Sequence, residues 1–487
     1  MPYRFAFGRP PAVAAEGMVA TSQSLATRAG LRMLERGGNA ADAALAAAAM
    51  LCVTEPMSTG IGGDAFALVW RDGTPVALDA AGPAPRSADA AAEVAPLGPR
   101  SVTVPGAVGG WIELAARFGR LGLDVCLADA IDVAERGFAV AQQTADAWAS
   151  ALDPSPMWPP TAVPPELQPP PVRGQVVRLA ELARTLRAIA EGGGDAFYRG
   201  RVARAIAEAS WLEEEDLAAY SARWVAPLTT RYRGYDVYEL PPPTQGVAVL
   251  EGLALLAGGA SGLEARVRAV GLALEDAFAH VRDGADVGGL LDPAYVARRR
   301  LEQPRGAAVP AGGTVYLCAV DRDRMAVSFI QSLFGRFGSG VVAPGTGVVL
   351  QNRGACFALQ GGVVPGARPY HTIIPGLLAR NGALHGPFGV MGGLIQAQGS
   401  VQLVCSLVDD GLDPQAALDR ARFRIEGGDL RLEEGLWESA AELEGLGYRV
   451  VLDPGVGGFG GGQAILVDGD ALLGGSDPRK DGYAGGI

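Results

Sequence analysis

An α/β layered sandwich is the fold class this sequence predicts, and three observations carry it. Helical and strand-forming segments fall in separate blocks instead of alternating, which argues against a doubly wound parallel sheet. The chain has 487 residues, enough for a large core. It is 49% hydrophobic and 19% charged, the balance of a folded globular protein and not of a disordered one.

The elements follow in order. The N-terminus, MPYRFAFGRPPAV, lacks the basic region and long apolar core of a secretory leader. MVATS is strand-like. SLATRAGLRMLERGGNAADAALAAAAMLCV then carries apolar residues at helical spacing, with a break at Gly37-Gly38-Asn39. Its second half is Ala-rich, short and interrupted by Asp42, so it predicts a buried helix and not a membrane span. STGIGGDAFALVW is a glycine-rich turn entering a strand, and PVALDAAG is a second strand. Residues 100–300 read as mostly helical, with LAELARTLRAIAEG, RVARAIAEAS and LEARVRAVGLALEDAFAHVRDGA at the 3.6-residue period. DPSPMWPPTAVPPELQPPPVRG reads as a proline-rich surface connector. After residue 312 come the strand-like TVYLCAVD, MAVSFIQSLF, YHTIIPGLLAR, ALHGPFGVMGG and QAILVDG, separated by turns such as Asp321-Arg322-Asp323-Arg324. One helix pair, QAQGSVQLVCSLVDDG and DPQAALDRARF, sits among them.

Charge and residue usage exclude several functions. A net charge of −12, without Lys/Arg runs, repels phosphate backbones and predicts no nucleic-acid partner. Cys52, Cys126, Cys318, Cys356 and Cys405 lie far apart with no CxxC, as reduced core residues of a cytoplasmic protein would. The three histidines, His280, His371 and His385, form no HxxxH or HExxH pattern, which argues against a zinc hydrolase. There is no GxSxG elbow or Walker sequence, and no GxGxxG sits in a clear strand–helix unit. No metal or organic cofactor is expected.

The stretch GGTVYLCAVD, Gly312–Asp321, admits two readings. A threonine at the start of a strand is ordinarily a β-branched, half-buried residue. A free N-terminal threonine instead carries a nucleophile and a base, its own α-amine, in one residue, and needs no histidine. That amine titrates near pH ~8, so an uncharged fraction exists at neutral pH. To become N-terminal, Thr314 must attack the carbonyl of Gly313, where glycine tolerates strained geometry. GVMGGLIQAQG offers an oxyanion hole at Gly392-Gly393 before a helix, although a turn that needs small residues explains the same glycines.

Taken in order and spacing, the segments resemble the γ-glutamyltranspeptidase family of N-terminal nucleophile hydrolases over nearly the whole chain. The N-terminal signature is MVATSQSLATRAGLRMLERGGNAADAALAAAAMLCVTEPMSTGIGGDAFALVW. VTVPGAVGGW, LARTLRAIAEGGGDAFYRG, EEEDLAAY and YELPPPTQG follow, then FGSGVVAPGTGVVLQN, RPYHTIIPG, VMGG and GGSDPRKDG. The resemblance implies a four-layer αββα sandwich and a precursor that cleaves itself between Gly313 and Thr314. Residues 1–313 then form the large subunit and 314–487 the small one. The two stay together as a heterodimer, or as a dimer of heterodimers. Thr314 falls on the family's nucleophile, Ser332 on a supporting threonine, and Gly392 and Gly393 on the oxyanion pair.

The pocket positions depart from the family. The arginine that holds the glutamyl α-carboxylate is replaced by Ala81, and the nearby Arg86 is off register. The family's Asn beyond the supporting threonine is Phe334. The Gln and Asp that hold the α-amine are Arg353 and Cys356, and the paired serines are His371-Thr372. Loss of the acid and arrival of a guanidinium favour a small, carboxylate-bearing acyl group without an amine. Phe334 would limit its size, and His371 would donate to the carboxylate or to a keto oxygen; a structural ion pair for Arg353 and a packed core position for His371 are the alternatives. This set is similar to the branch containing oxamate amidohydrolase. A related branch is thought to remove an oxalyl unit by C–C cleavage on the way to 4-alkylproline antibiotics. A rebuilt γ-glutamyl hydrolase or transferase and an unprocessed binding protein are the other readings. The short FALQGGVVPGAR between Cys356 and Pro369, where many relatives carry a long lid, predicts water as acceptor. The expected partner is a small molecule, with no membrane association.

Overall fold

Residues 40–54 set the position of the first helical layer. All 15 residues of the Ala40–Thr54 helix are buried, as expected of a helix that is apolar on every side. Asn39 and Asp42 close its N-terminus as a capping box. In the computed structural model, residues 8–90, 95–152, 163–259, 261–304, 313–455 and 458–487 are described. Helices Ser24–Glu35, Ala107–Phe118, Leu123–Arg136 and Ala180–Gly192 join Ala40–Thr54 over the outer face of a seven-stranded sheet.

That sheet is antiparallel throughout, in the order Tyr483–Gly486, Met18–Thr21, Gly313–Val320, Ala326–Phe334, Asp64–Arg71, Thr74–Ala80, Arg223–Val225. Its side chains alternate between two cores, as the two-residue strand period requires. Val315, Leu317 and Ala319 face the helices, whereas Tyr316, Cys318 and Val320 face the second sheet.

The second sheet also has seven antiparallel strands: Ala12–Ala14, Ala471–Ser476, Gly461–Asp468, Ala383–Met391, Gly376–Arg380, Tyr235–Glu239, Leu228–Tyr232. Leu377, Met391 and Ile465 meet the first sheet. Val237, Phe388 and Val390 pack on helices Gly246–Leu256, Leu263–His280 and Ile395–Val408. The layers are therefore helix, sheet, sheet, helix, as expected.

Three local expectations need correction. The largely helical middle also supplies the hairpin Leu228–Tyr232/Tyr235–Glu239, turned by Arg233 and Gly234 at φ 49° and 88°. In YHTIIPGLLAR only Gly376–Arg380 is strand; His371 forms an isolated bridge with Thr244. A small sheet of Phe423–Glu426, Asp429–Leu432 and Arg449–Leu452 was not foreseen. Residues 153–162 of the proline-rich connector, residues 1–7 and Gly312 lie outside the described residues. All five cysteines are free and buried. Among the described residues no helix is long and apolar enough to cross a membrane.

Candidate active site

Neighbouring strands bring Thr314 and Ser332 together at one end of the gap between the sheets. The ladder between Gly313–Val320 and Ala326–Phe334 slips between Gly313 and Val315, a bulge centred on Thr314. Thr314 is 3% exposed. Its Oγ lies 2.7 Å from the carbonyl oxygen of Gly313 and 3.2 Å from Ser332 Oγ. Ser332 Oγ accepts the Phe334 N–H at 2.8 Å and donates to the same Gly313 oxygen at 2.6 Å. Two hydroxyls thus polarise the carbonyl on which the oxyanion of self-cleavage would form.

Gly392 and Gly393 make the turn between strand Ala383–Met391 and helix Ile395–Val408, at φ 123° and 74°. A Cβ on Gly392 would lie 2.9 Å from Ile395 Cγ2 and 3.1 Å from Gly460 Cα. Both conformation and space therefore call for glycine there. From the first turn of the following helix, Gln396 Nε2 reaches Thr314 Oγ at 3.2 Å. The glycine turn is thereby held beside Thr314.

The expected pocket residues divide into two groups. Arg353, Phe334, Thr372 and Cys356 come together. The Arg353 guanidinium lies 4.4 Å above the Phe334 ring and donates from Nη1 to Thr372 Oγ1 at 3.1 Å, with Cys356 Sγ at 3.8 Å. Phe334 holds that place with φ at 74°, unusual for an aromatic residue, its N–H fixed on Ser332. Burial pushes the Cys356 thiol up to about 11, so it supplies no counter-charge at neutral pH. Arg353 is fully buried, and its Nε and Nη2 have no partner among the described residues. A buried guanidinium with half its fork unused is costly unless an anion joins it.

His371 and Ala81 fall in the other group. His371 Nδ1 lies 2.7 Å from the Pro369 carbonyl oxygen and Nε2 lies 2.8 Å from Asp64 Oδ2. Neither nitrogen is left for a substrate, so the expectation that His371 donates to one is corrected to a structural role. Burial and then Arg353 hold its pKa below the ordinary histidine value, against the pull of Asp64. Ala81 is buried with its N–H on Asp79 and its carbonyl oxygen accepting from Arg368 Nε at 2.9 Å. Arg86 is exposed.

Asp64 is a hub that sequence reading passed over. Its Oδ1 accepts the N–H groups of Gly82 and Gly106 and the amide of Gln351, each at 3.0 Å. Asp64→Ala removes the partner of the Gly82 and Gly106 N–H groups and of His371 Nε2, while Gln351 Nε2 keeps Thr103 Oγ1 and the Val104 carbonyl oxygen. The substitution is expected to lower stability by about 3–5 kcal/mol, read as a fall in the denaturant midpoint.

The loop after the buried helix closes the site near Gly313, where a Cβ would meet Met57 O at 3.3 Å and Ser58 Cα at 3.4 Å. At its start Glu55 is buried and accepts a hydrogen bond from Ser22 Oγ. Burial pushes its carboxyl from 4.5 up to about 7, with Lys480 opposing. Between those values the folded chain keeps a proton that the unfolded chain releases. Stability should therefore fall by about 3 kcal/mol as pH rises through that window. Glu55→Gln should flatten this part of the stability–pH curve.

Gln396 was the other omission. A glutamine in an apolar helix turn, entirely buried, was the available signal.

A family model described as gamma-glutamyltranspeptidase matches residues 26–487. The glutathione hydrolase-like YwrD proenzyme of Bacillus subtilis is 34% identical, covering 96% of this chain and 98% of the relative. The oxamate amidohydrolase proenzyme of Klebsiella pneumoniae is 34% identical, covering 97% and 99%. The crystal structure of cephalosporin acylase from Bacillus halodurans superposes with a TM-score of 0.93 at 40% identity, covering 100% of this chain and 98% of that one.

Proposed function

Because the chain belongs to the γ-glutamyltranspeptidase family of N-terminal nucleophile hydrolases, we propose that it cuts itself between Gly313 and Thr314. The mature protein then hydrolyses a small acyl substrate that carries a carboxylate and no α-amine. Residues 1–313 and 314–487 are the two fragments, held together because strand Gly313–Val320 sits between Met18–Thr21 and Ala326–Phe334.

The freed amine of Thr314 takes the proton of its own hydroxyl, and Oγ attacks the substrate carbonyl. The Gly392 and Gly393 N–H groups stabilise the oxyanion. The leaving group departs with a proton, and water releases the acid.

The observation that carries the substrate class is Arg353, buried, stacked on Phe334 and with Nε and Nη2 unused. Those two nitrogens suit a planar carboxylate. The neutral Cys356 beside them offers an ammonium nothing to pair with. An oxalyl or oxamate-like group fits these demands, and the oxamate amidohydrolase relative supports it.

A second reading, a longer acyl chain with its carboxylate at the far end, would use the same Arg353 nitrogens, and the likeness to an acylase is compatible with either length. Anilides of oxalic, succinic and glutaric acid, offered to the processed protein beside a γ-glutamyl anilide, separate these readings. A maximum at oxalyl supports the first and a maximum at glutaryl the second. Preference for γ-glutamyl refutes both.

A further inference from the structure

We propose that Gln396 is a further catalytic residue: its amide N–H holds Thr314 Oγ and stabilises that oxygen whenever it leaves an ester. The inference rests on the reading of Thr314 as nucleophile, but not on which acyl group the enzyme takes.

The geometry is directional. Gln396 Oε1 accepts the backbone N–H of Ile374 at 3.2 Å, which fixes the orientation of the side-chain amide. Nε2 must then face Thr314 Oγ, 3.2 Å away, as a donor. With one of its lone pairs so engaged, Thr314 points its single proton to the side where Ser332 Oγ and the Gly313 oxygen lie and shares it between them. Ser332, fed by the Phe334 N–H, directs its proton to the Gly313 oxygen. The donors run one way, from Gln396 through Thr314 and Ser332 to the scissile carbonyl. In such a chain each bond strengthens the next.

In self-cleavage Thr314 Oγ bonds to the Gly313 carbonyl carbon and the C–N bond breaks. The hydroxyl proton goes to the departing nitrogen, leaving an ester and a free amine. Water then attacks the ester. The C–Oγ bond breaks, Gly313 becomes a carboxylic acid, and Oγ takes up a proton. During this second step negative charge grows on Oγ, and the Gln396 N–H is the donor already placed on it. The same step releases each acyl group during turnover.

The test uses the full-length chain. Gln396→Glu keeps an acceptor for Ile374 but removes the N–H, and Gln396→Met removes the donor without adding charge. Both should slow fragment release about 10- to 100-fold. Both should also accumulate an ester that neutral hydroxylamine converts into the two fragments, with a hydroxamate at Gly313. Gln398→Met serves as a structural control, because among the described residues the Gln398 side chain bonds only to backbone groups. It should mature without a hydroxylamine-sensitive ester. Wild-type rates in both Gln396 variants, slow release without ester, or slowing in Gln396→Glu alone would overturn the inference. A wild-type chain that never cleaves would instead refute the reading of Thr314.

Discussion

Thr314→Ala is expected to leave a single chain of 50.0 kDa on a denaturing gel, with no fragments after prolonged incubation. Wild type should separate into residues 1–313 and 314–487, and N-terminal sequencing of the smaller piece should begin Thr-Val-Tyr. The loss should be complete. Among the described residues two hydroxyls contact the oxygen of the Gly313 carbonyl, those of Thr314 and Ser332. Of these, Thr314 alone can pass to a new N-terminus and so gain an amine as base. The histidines do not replace it: His371 is spent on Asp64 and Pro369, His385 lies against Tyr235 at the far end of strand Ala383–Met391, and His280 is exposed at the end of helix Leu263–His280.

Arg353→Met should separate activity from stability. Methionine can fill the space over Phe334 while removing the charge. Among the described residues the arginine makes one ordinary hydrogen bond, to Thr372, and two of its nitrogens have no partner. Removing an unpaired buried charge is expected to leave the melting temperature unchanged or raised. Self-cleavage should proceed at the wild-type rate, since Arg353 does not touch the Gly313–Thr314 bond. Turnover of a carboxyl-bearing acyl amide should fall about 100-fold or more in kcat/KM, the loss of a charge-assisted pair. Unaltered kcat/KM would mean that the carboxylate is held elsewhere.

That the fold is a layered α/β sandwich was legible in periodicity and composition, whereas the four-layer order came with the family resemblance. The Ala-rich run 40–54, the strand-like blocks after residue 312 and the glycine turns entering Asp64 and leaving Met391 all appear where those patterns point. The hairpin 228–239 was not legible in a stretch dominated by helical periods, although Arg233-Gly234 was its turn signal. His371–Pro375 was mistaken for strand because buried apolar residues of an irregular segment look the same in sequence.

The site shows a similar divide. Position relative to known motifs pointed to Thr314, Ser332 and the glycine pair. The partners of a side chain depend on contacts between residues far apart in sequence. Asp64 and His371 lie 307 residues apart, and Thr314 and Gln396 lie 82 apart. No local pattern encodes such a pair. Residue type allowed His371 to be a donor toward substrate; the structure spends both its nitrogens on the protein.

The substrate class rests on one comparison of rates. The processed wild-type protein is given an oxalyl amide and a γ-glutamyl amide of the same amine, and kcat/KM is measured for each. An Arg353 pocket with Cys356 where the family has its amine-binding acid predicts a ratio of about 100 or more in favour of the oxalyl amide. Equal values, or a preference for the γ-glutamyl amide, would contradict it.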